Sequence, residues 1–124
     1  MSKTKTPSRS AAWFEIAVKN LDKATKFYGT VLGAELRREK MGPMDVAVFP
    51  YDGGMSGNLY EGGGAGVATP VVHLNAPQPL EDTLARVKSG GGKVVSDIHT
   101  IPQGGRFAYC QDPDGTRFGL FTAA

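Results

Sequence analysis

Apolar residues alternate along the start of the chain and then recur at helical spacing. From Trp13 to Val18 every second side chain is large and apolar, which predicts a strand with one face in the core. Asn20 suits the N-cap of a following helix in which apolar residues recur every three or four positions, and Gly33 suits its end. Three extended segments follow, at 34–40, 44–50 and Ser56–Glu61. The first half therefore predicts the order β-α-β-β-β.

The same order of elements recurs in the second half. Val71–Asn75 predicts a strand, and a helix opens at Pro79 and closes near Gly90. Three further strands are predicted, at Lys93–Ile98, Arg106–Gln111 and Thr116–Thr122. An internal duplication explains the repeat most simply, and it aligns Glu15 with His73, 58 residues later.

These patterns predict an α+β fold of two tandem β-α-β-β-β modules. We expect a flexible polar tail at 1–11 and a single domain at 12–124. Within the domain, module one covers 12–61, a glycine-rich linker covers 62–67, and module two covers 68–124.

Composition narrows the classes of function. With 124 residues, 40% of them hydrophobic, the chain is long enough for one core, and its net charge of +2 gives little support for nucleic-acid binding. Cys110 is the only cysteine, so no internal disulfide is expected. The N-terminus lacks the apolar core of a signal peptide, and no stretch approaches the roughly 20 apolar residues of a membrane span. A cytoplasmic protein without a membrane partner is the expectation.

Three segments carry a family resemblance: FEIAVKNLDKATKFYGTVLGAEL, GGGKVV and IPQGGRFAYCQDPDGTRFGL. Together, over about residues 12–122, they resemble the VOC superfamily of glyoxalases, bleomycin-resistance proteins and extradiol dioxygenases. The resemblance implies curved mixed sheets around a cleft that binds a small organic molecule. It also implies association of modules or chains, and we expect a homodimer.

The resemblance also bears on metal binding. Metalloenzymes of this superfamily, such as glyoxalase I and the extradiol dioxygenases, carry His, Gln or Glu on the first and last strands of their modules. The matching positions here are Trp13, Val71 and Gly119, with Gly57 as the fourth, and none of these supplies a ligand. We therefore predict no metal and no other cofactor. The alternative is a displaced metal site in which Glu15 and His73 are joined by Glu61.

Six residues are the candidates for ligand binding: Trp13, Glu15, His73, Phe107, Tyr109 and Arg117. Glu15 and His73 share the cleft-facing side of their strands and are also the catalytic candidates, with a purely structural polar pair as the alternative. Trp13 forms either an aromatic wall or core filling between modules. Phe107 and Tyr109 alternate with Ala108 and Cys110, and the sequence leaves open which set faces the cleft.

Three minor candidates have simpler explanations. Arg117 either meets an anionic ligand or lies at an exposed edge. His99 is expected in an exposed loop, and Cys110 is expected to be a small buried apolar side chain.

The predicted function is binding of a small organic molecule in the cleft without a metal, and whether a reaction follows is left open. One alternative is a divalent-metal-dependent lyase, isomerase or dioxygenase that uses the displaced Glu and His. The other is a module whose cleft is closed by packing and whose surface binds another protein.

Overall fold

The computed structural model describes residues 10–51, 53–62, 69–102 and 104–123. These divide into two compact units. The first unit is Trp13–Val71, and the second unit comprises the described residues before Trp13 together with those from Val72 onward. The predicted linker at 62–67 lies outside the described residues except for Gly62, as does most of the predicted tail.

In the first unit a helix packs on a mixed sheet. Its elements are β1 (Ala11–Val18, which begins in the second unit), α1 (Leu21–Leu32), β2 (Arg37–Met41), β3 (Met44–Val48) and β4 (Ser56–Glu61). β1 runs parallel to β4, whereas β2–β3 and β3–β4 are antiparallel. The core forms where α1 covers one face of this sheet, around Leu21, Leu36, Ala47, Phe49 and Leu59.

The predicted ends of α1 are confirmed. Asn20 has extended backbone angles, and its side-chain oxygen accepts a hydrogen bond from the Lys23 N–H at 2.8 Å. Gly33 ends the helix in the left-handed conformation, at φ 65°, which glycine adopts without steric cost.

The second unit repeats this arrangement. Its elements are β5 (Val71–Asn75, whose first residue belongs to the first unit), α2 (Leu80–Ser89), β6 (Lys93–Val94), β7 (His99–Thr100), β8 (Arg106–Gln111) and β9 (Arg117–Thr122). β5 runs parallel to β9, and β8 is antiparallel to β6, β7 and β9. α2 covers a second core of Ala76, Leu80, Leu84, Ala108, Cys110 and Leu120. The α+β class and the repeated β-α-β-β-β order are as predicted.

One predicted strand is wrong in extent. In the segment 93–98, strand pairing with β8 covers Lys93 and Val94 and is followed by one more backbone hydrogen bond, from the Val95 N–H to the Tyr109 carbonyl oxygen at 2.9 Å. The Ser96 hydroxyl then accepts the Tyr109 N–H at 2.8 Å, so a side chain takes a bond that the backbone ladder would otherwise make. Pairing with β8 resumes at His99, which therefore lies in a short strand and not in the expected loop.

Candidate functional site

The sheet of the first unit has one face under α1 and an opposite face, which we call the first open face. Residues paired across neighbouring strands point to the same side. Trp13 pairs with Ser56 and Glu15 with Asn58, whereas Phe14 and Ile16 pack into the core under α1. Trp13 and Glu15 therefore share the first open face, as predicted, and Asn58 lies there with them.

Asn58 anchors Trp13 on this face. The Trp13 indole N–H donates to the Asn58 side-chain oxygen at 2.6 Å, and Asn58 is 1% exposed. The Tyr51 ring meets the Trp13 ring edge-on, with centroids 6.1 Å apart. The indole is thus held by a buried amide and an aromatic edge, which fixes its orientation.

The pairing of β4 with β1 shows that Gly57 does not lie on the first open face. Gly57, the residue matched to the fourth ligand position, pairs with Phe14 and lies on the α1 side, where a Cβ would approach the Phe14 carbonyl oxygen to 2.3 Å. Asn58 is its neighbour on the open face. A one-residue shift along a strand exchanges the two faces, and the glycine-rich sequence gave no alternation from which to set the register.

Glu61 lies away from Glu15. It pairs with Val18, on the α1 side of the sheet, and its carboxylate accepts the Leu21 N–H at 3.0 Å. It therefore satisfies a free donor in the first turn of α1. The prediction that Glu61 joins Glu15 and His73 in a displaced metal site is therefore wrong.

The second unit has a corresponding face opposite α2, which we call the second open face. Ala108 and Cys110 are fully buried in the core under α2, so Phe107 and Tyr109 take the opposite side. His73 joins them there, with its ring centroid 5.3 Å from each of the two aromatic rings. Phe107 and Tyr109 meet at right angles, 5.6 Å apart. Of the two alternating sets on β8, Phe107 and Tyr109 therefore lie on the second open face, and Ala108 and Cys110 lie in the core.

Gly119 makes this cluster sterically possible. It pairs with His73 on one side and with Tyr109 on the other. A Cβ at residue 119 would lie 2.0 Å from Nδ1 and 2.4 Å from Cε1 of His73. The imidazole, on a residue 4% exposed, therefore occupies the space above Gly119 where a longer side chain would begin.

Two more side chains border the cluster. The Arg117 guanidinium carbon lies 4.6 Å from the centroid of the Tyr109 ring, within cation–π range. His99 is exposed, and its ring lies 5.0 Å from that of Phe107. The second open face thus brings together four predicted residues, His73, Phe107, Tyr109 and Arg117.

Cys110 takes no part in this face. It is completely buried in the core under α2, and burial raises the pKa of its thiol above the usual value. The expectation of an apolar structural role is consistent with this environment.

Comparison with known proteins identifies the family. The family model described as the Glyoxalase/Bleomycin resistance protein/Dioxygenase superfamily matches residues 10–120. The chain belongs to this superfamily. No curated protein sequence matches the chain significantly.

Several solved structures are similar to this chain in fold. Methylmalonyl-CoA epimerase from Mycobacterium tuberculosis is similar with a TM-score of 0.69 at 18% identity, covering 97% of this chain and 93% of that one. A Streptomyces coelicolor methylmalonyl-CoA epimerase variant in complex with 2-nitronate-propionyl-CoA gives 0.67 at 20% identity, covering 94% and 98%. A hypothetical protein from Bacillus halodurans gives 0.69 at 14% identity, covering 95% and 96%. At these identities the likeness shows the fold alone.

The residues at the superfamily's metal-ligand positions do not fit a metal. Trp13, Val71 and Gly57, at three of the positions that the family resemblance matches to metal ligands, offer no side-chain ligand atom. At the fourth, Gly119, the His73 ring takes the space where a longer side chain would begin. In the described ranges, no three His, Cys, Asp or Glu side chains come together as a metal would require.

The pairing of Glu15 with His73 stays a prediction, because Glu15 belongs to the first unit and His73 to the second.

No helix in the described part of the chain is long and apolar enough to span a membrane.

Proposed function

We propose that this superfamily member binds a small organic molecule on the second open face without using a metal ion. The observation that carries the proposal is the ring cluster of His73, Phe107 and Tyr109, gathered on the face that α2 leaves uncovered. Aromatic rings with a few polar groups among them are the usual lining of a small-molecule site.

The composition of the cluster favours a planar ligand. Phe107 and Tyr109 supply apolar ring surface, while the His73 imidazole within the cluster adds ring nitrogens and Arg117 at its border adds hydrogen-bond donors. Trp13 and Glu15 stay ligand-binding candidates on the first open face, on the strand β1 that corresponds to β5 in the repeat.

A second candidate function is proton transfer on the bound molecule, with Glu15 and His73 as the acid and base. Carboxylate and imidazole groups commonly perform this step. Proton transfer is supported by the names of two structural neighbours, which are methylmalonyl-CoA epimerases, because epimerisation removes a proton from carbon and returns it. Incubation with methylmalonyl-CoA in D2O tests this candidate, and absence of deuterium uptake at the α-carbon would count against that substrate.

Binding is tested with neutral planar probes. We expect benzamide and indole to shift the NMR resonances of the Phe107 and Tyr109 rings in a saturable manner. Phe107→Ala should weaken binding at least about fivefold, since one aromatic contact contributes on the order of 1 kcal/mol.

The matched control is Phe27→Ala. It removes the same ring from α1, at a residue 60% exposed and in the other unit, and should leave probe binding unchanged. A dispersed amide spectrum of each variant verifies folding. Equal weakening by both substitutions, or shifts confined to other surfaces, would contradict the proposed site.

A further inference from the structure

A row of polar side chains crosses one end of the second open face. Lys93 on β6 pairs with Gln111 on β8, and Gln111 pairs with Arg117 on β9. Their neighbours along the strands, Val94 and Cys110, pack into the core under α2. Because side chains alternate along a strand, Lys93, Gln111 and Arg117 point to the open face, in the row next to Tyr109 and Gly119.

The spacing suits a single small group. Neighbouring strands lie about 4.8 Å apart, so the Cα atoms of Lys93 and Arg117 are separated by roughly 10 Å, with Gln111 between them. Both outer side chains are long enough to converge above the Gln111 amide. The row therefore offers two cations and one amide to the same point.

Among the described residues, no acidic side chain forms an ion pair with this row. Within the described part of the chain neither Lys93 nor Arg117 forms an ion pair, in contrast to Arg106, which binds Glu81 on the α2 side. The Asp112 carboxylate, next to Gln111, accepts the N–H groups of Asp114 and Thr116 through one oxygen within its turn.

Arg117 is also oriented for recognition. Its guanidinium lies against the Tyr109 ring at 4.6 Å, so one flat side is covered. The N–H groups of a guanidinium lie in its plane and form two parallel hydrogen bonds to a carboxylate or a phosphate. Stacking on a ring leaves that donor edge accessible.

We infer that the ligand of the second open face is a planar organic anion. Its carboxylate or phosphate is held by the row of Lys93, Gln111 and Arg117, and its planar part lies against Tyr109 and Phe107. This inference rests on the proposed function and specifies the ligand class of that site.

The test compares probes that share a ring and differ in charge. Benzoate, phenyl phosphate, benzamide and inorganic phosphate are titrated separately, and the Tyr109 ring and Arg117 Nε–H resonances are followed by NMR. At least one of the two aromatic anions should bind about tenfold or more tightly than benzamide, a ratio equivalent to ~1.4 kcal/mol. The tighter of the two identifies a carboxylate or a phosphate as the preferred group.

Variants then assign this preference to the row. Arg117→Ala and Lys93→Ala should each reduce the preference for the anion, and Arg117→Lys should restore only part of it because a lysine cannot form the paired hydrogen bonds. Lys88→Ala, which removes one positive charge from the exposed α2 surface of the same unit, should leave the preference unchanged.

The outcomes separate this inference from the function on which it rests. Equal binding of benzamide and the aromatic anions would overturn the anion site while leaving small-molecule binding intact. Inorganic phosphate binding as tightly as phenyl phosphate would overturn the role of the rings in anion recognition. If neither these four probes nor indole shifts the resonances of the second open face, both the inference and the proposed function fail.

Discussion

At the residue scale, the position of the His73 side chain requires a glycine at residue 119. The imidazole lies where a side chain at residue 119 would begin, and it reaches the Tyr109 and Phe107 rings across that gap. Glycine is required at this position for a steric reason, and not because of a turn or a positive φ. A larger residue at position 119 would prevent the observed orientation of His73 on the second open face.

Gly119→Ala should disrupt the cluster. The added methyl group would approach His73 Nδ1 to 2.0 Å, so the imidazole or β9 must move. Overpacking of this kind typically costs about 1–3 kcal/mol, which urea unfolding would measure, and binding of planar probes should weaken in parallel.

The control for this substitution is Gly54→Ala, where a Cβ would meet no atom within 4 Å. Its effect on the free energy of unfolding should be small. A Gly119→Ala protein as stable as the wild type, with unchanged His73 resonances, would show that the imidazole has another accessible position.

Residue-scale prediction from sequence succeeded where alternation was regular. Trp13 and Glu15 belong to a strand whose other face is apolar, so their orientation followed from period two, and the orientation of His73 was predicted from its alignment with Glu15 in the repeat. Asn58 was missed because the segment before it is rich in glycine, so its register depended on pairing with β1. The contact of His73 with Tyr109 depends on an absent side chain at Gly119, which no periodic pattern reveals.

At the element scale, an ion pair joins α2 to β8. Both Glu81 carboxylate oxygens accept hydrogen bonds from Arg106, at 2.7 and 2.8 Å. The Arg106 hydrogen bonds hold the pKa of Glu81 at about 2, below its ordinary value of 4.5. Because the Glu81 side chain is 57% exposed, solvent screening limits the stability that this pair provides.

The pH dependence of stability has a definite sign. A depressed folded-state pKa means that the contribution of Glu81 is present above about pH 4.5 and is lost as the pH falls toward about 2. The wild type should therefore lose more stability across this interval than Glu81→Gln, as measured by urea unfolding at each pH.

Asp82→Asn provides the matched control, because it removes a neighbouring carboxylate from the same first turn of α2. Its stability should fall with pH in parallel with that of the wild type across the same interval. Parallel curves for the wild type and Glu81→Gln would instead show that the pair contributes nothing measurable.

Element prediction was most successful where local signals act alone. The limits of α1 follow from Asn20 and Gly33, and those of α2 from Pro79 and Gly90. The strand predicted at 93–98 is shorter than expected because the Ser96 hydroxyl, and not a backbone carbonyl, accepts the Tyr109 N–H. This hydrogen bond is a tertiary contact, and the β propensity of the segment does not predict it.

At the scale of the whole molecule, the repeat in the sequence corresponds to two units with separate cores. Each unit places a helix on one face of its sheet and leaves candidate side chains on the other. The fold followed from the duplicated order of elements and from family resemblance, and the family model supports it over residues 10–120. Dimerisation and the pairing of Glu15 with His73 stay predictions, since each involves a contact beyond a single unit.

Metal content is the prediction that concerns the chain as a whole. Tag-free protein purified without chelator, and again after incubation with zinc, nickel, manganese or ferrous iron, should contain well below one ion per chain by elemental mass spectrometry. The reason is the set of side chains at the superfamily's ligand positions, where Trp13, Val71 and Gly119 supply no ligand atom. Gly119→Glu alone should not raise the content, because Trp13 and Val71 would still supply no ligand atom and the Cβ of the new residue would already lie 2.0 Å from His73 Nδ1. A content near one ion per chain that is lost in His73→Ala would establish a displaced metal site and contradict the proposed metal-free binding.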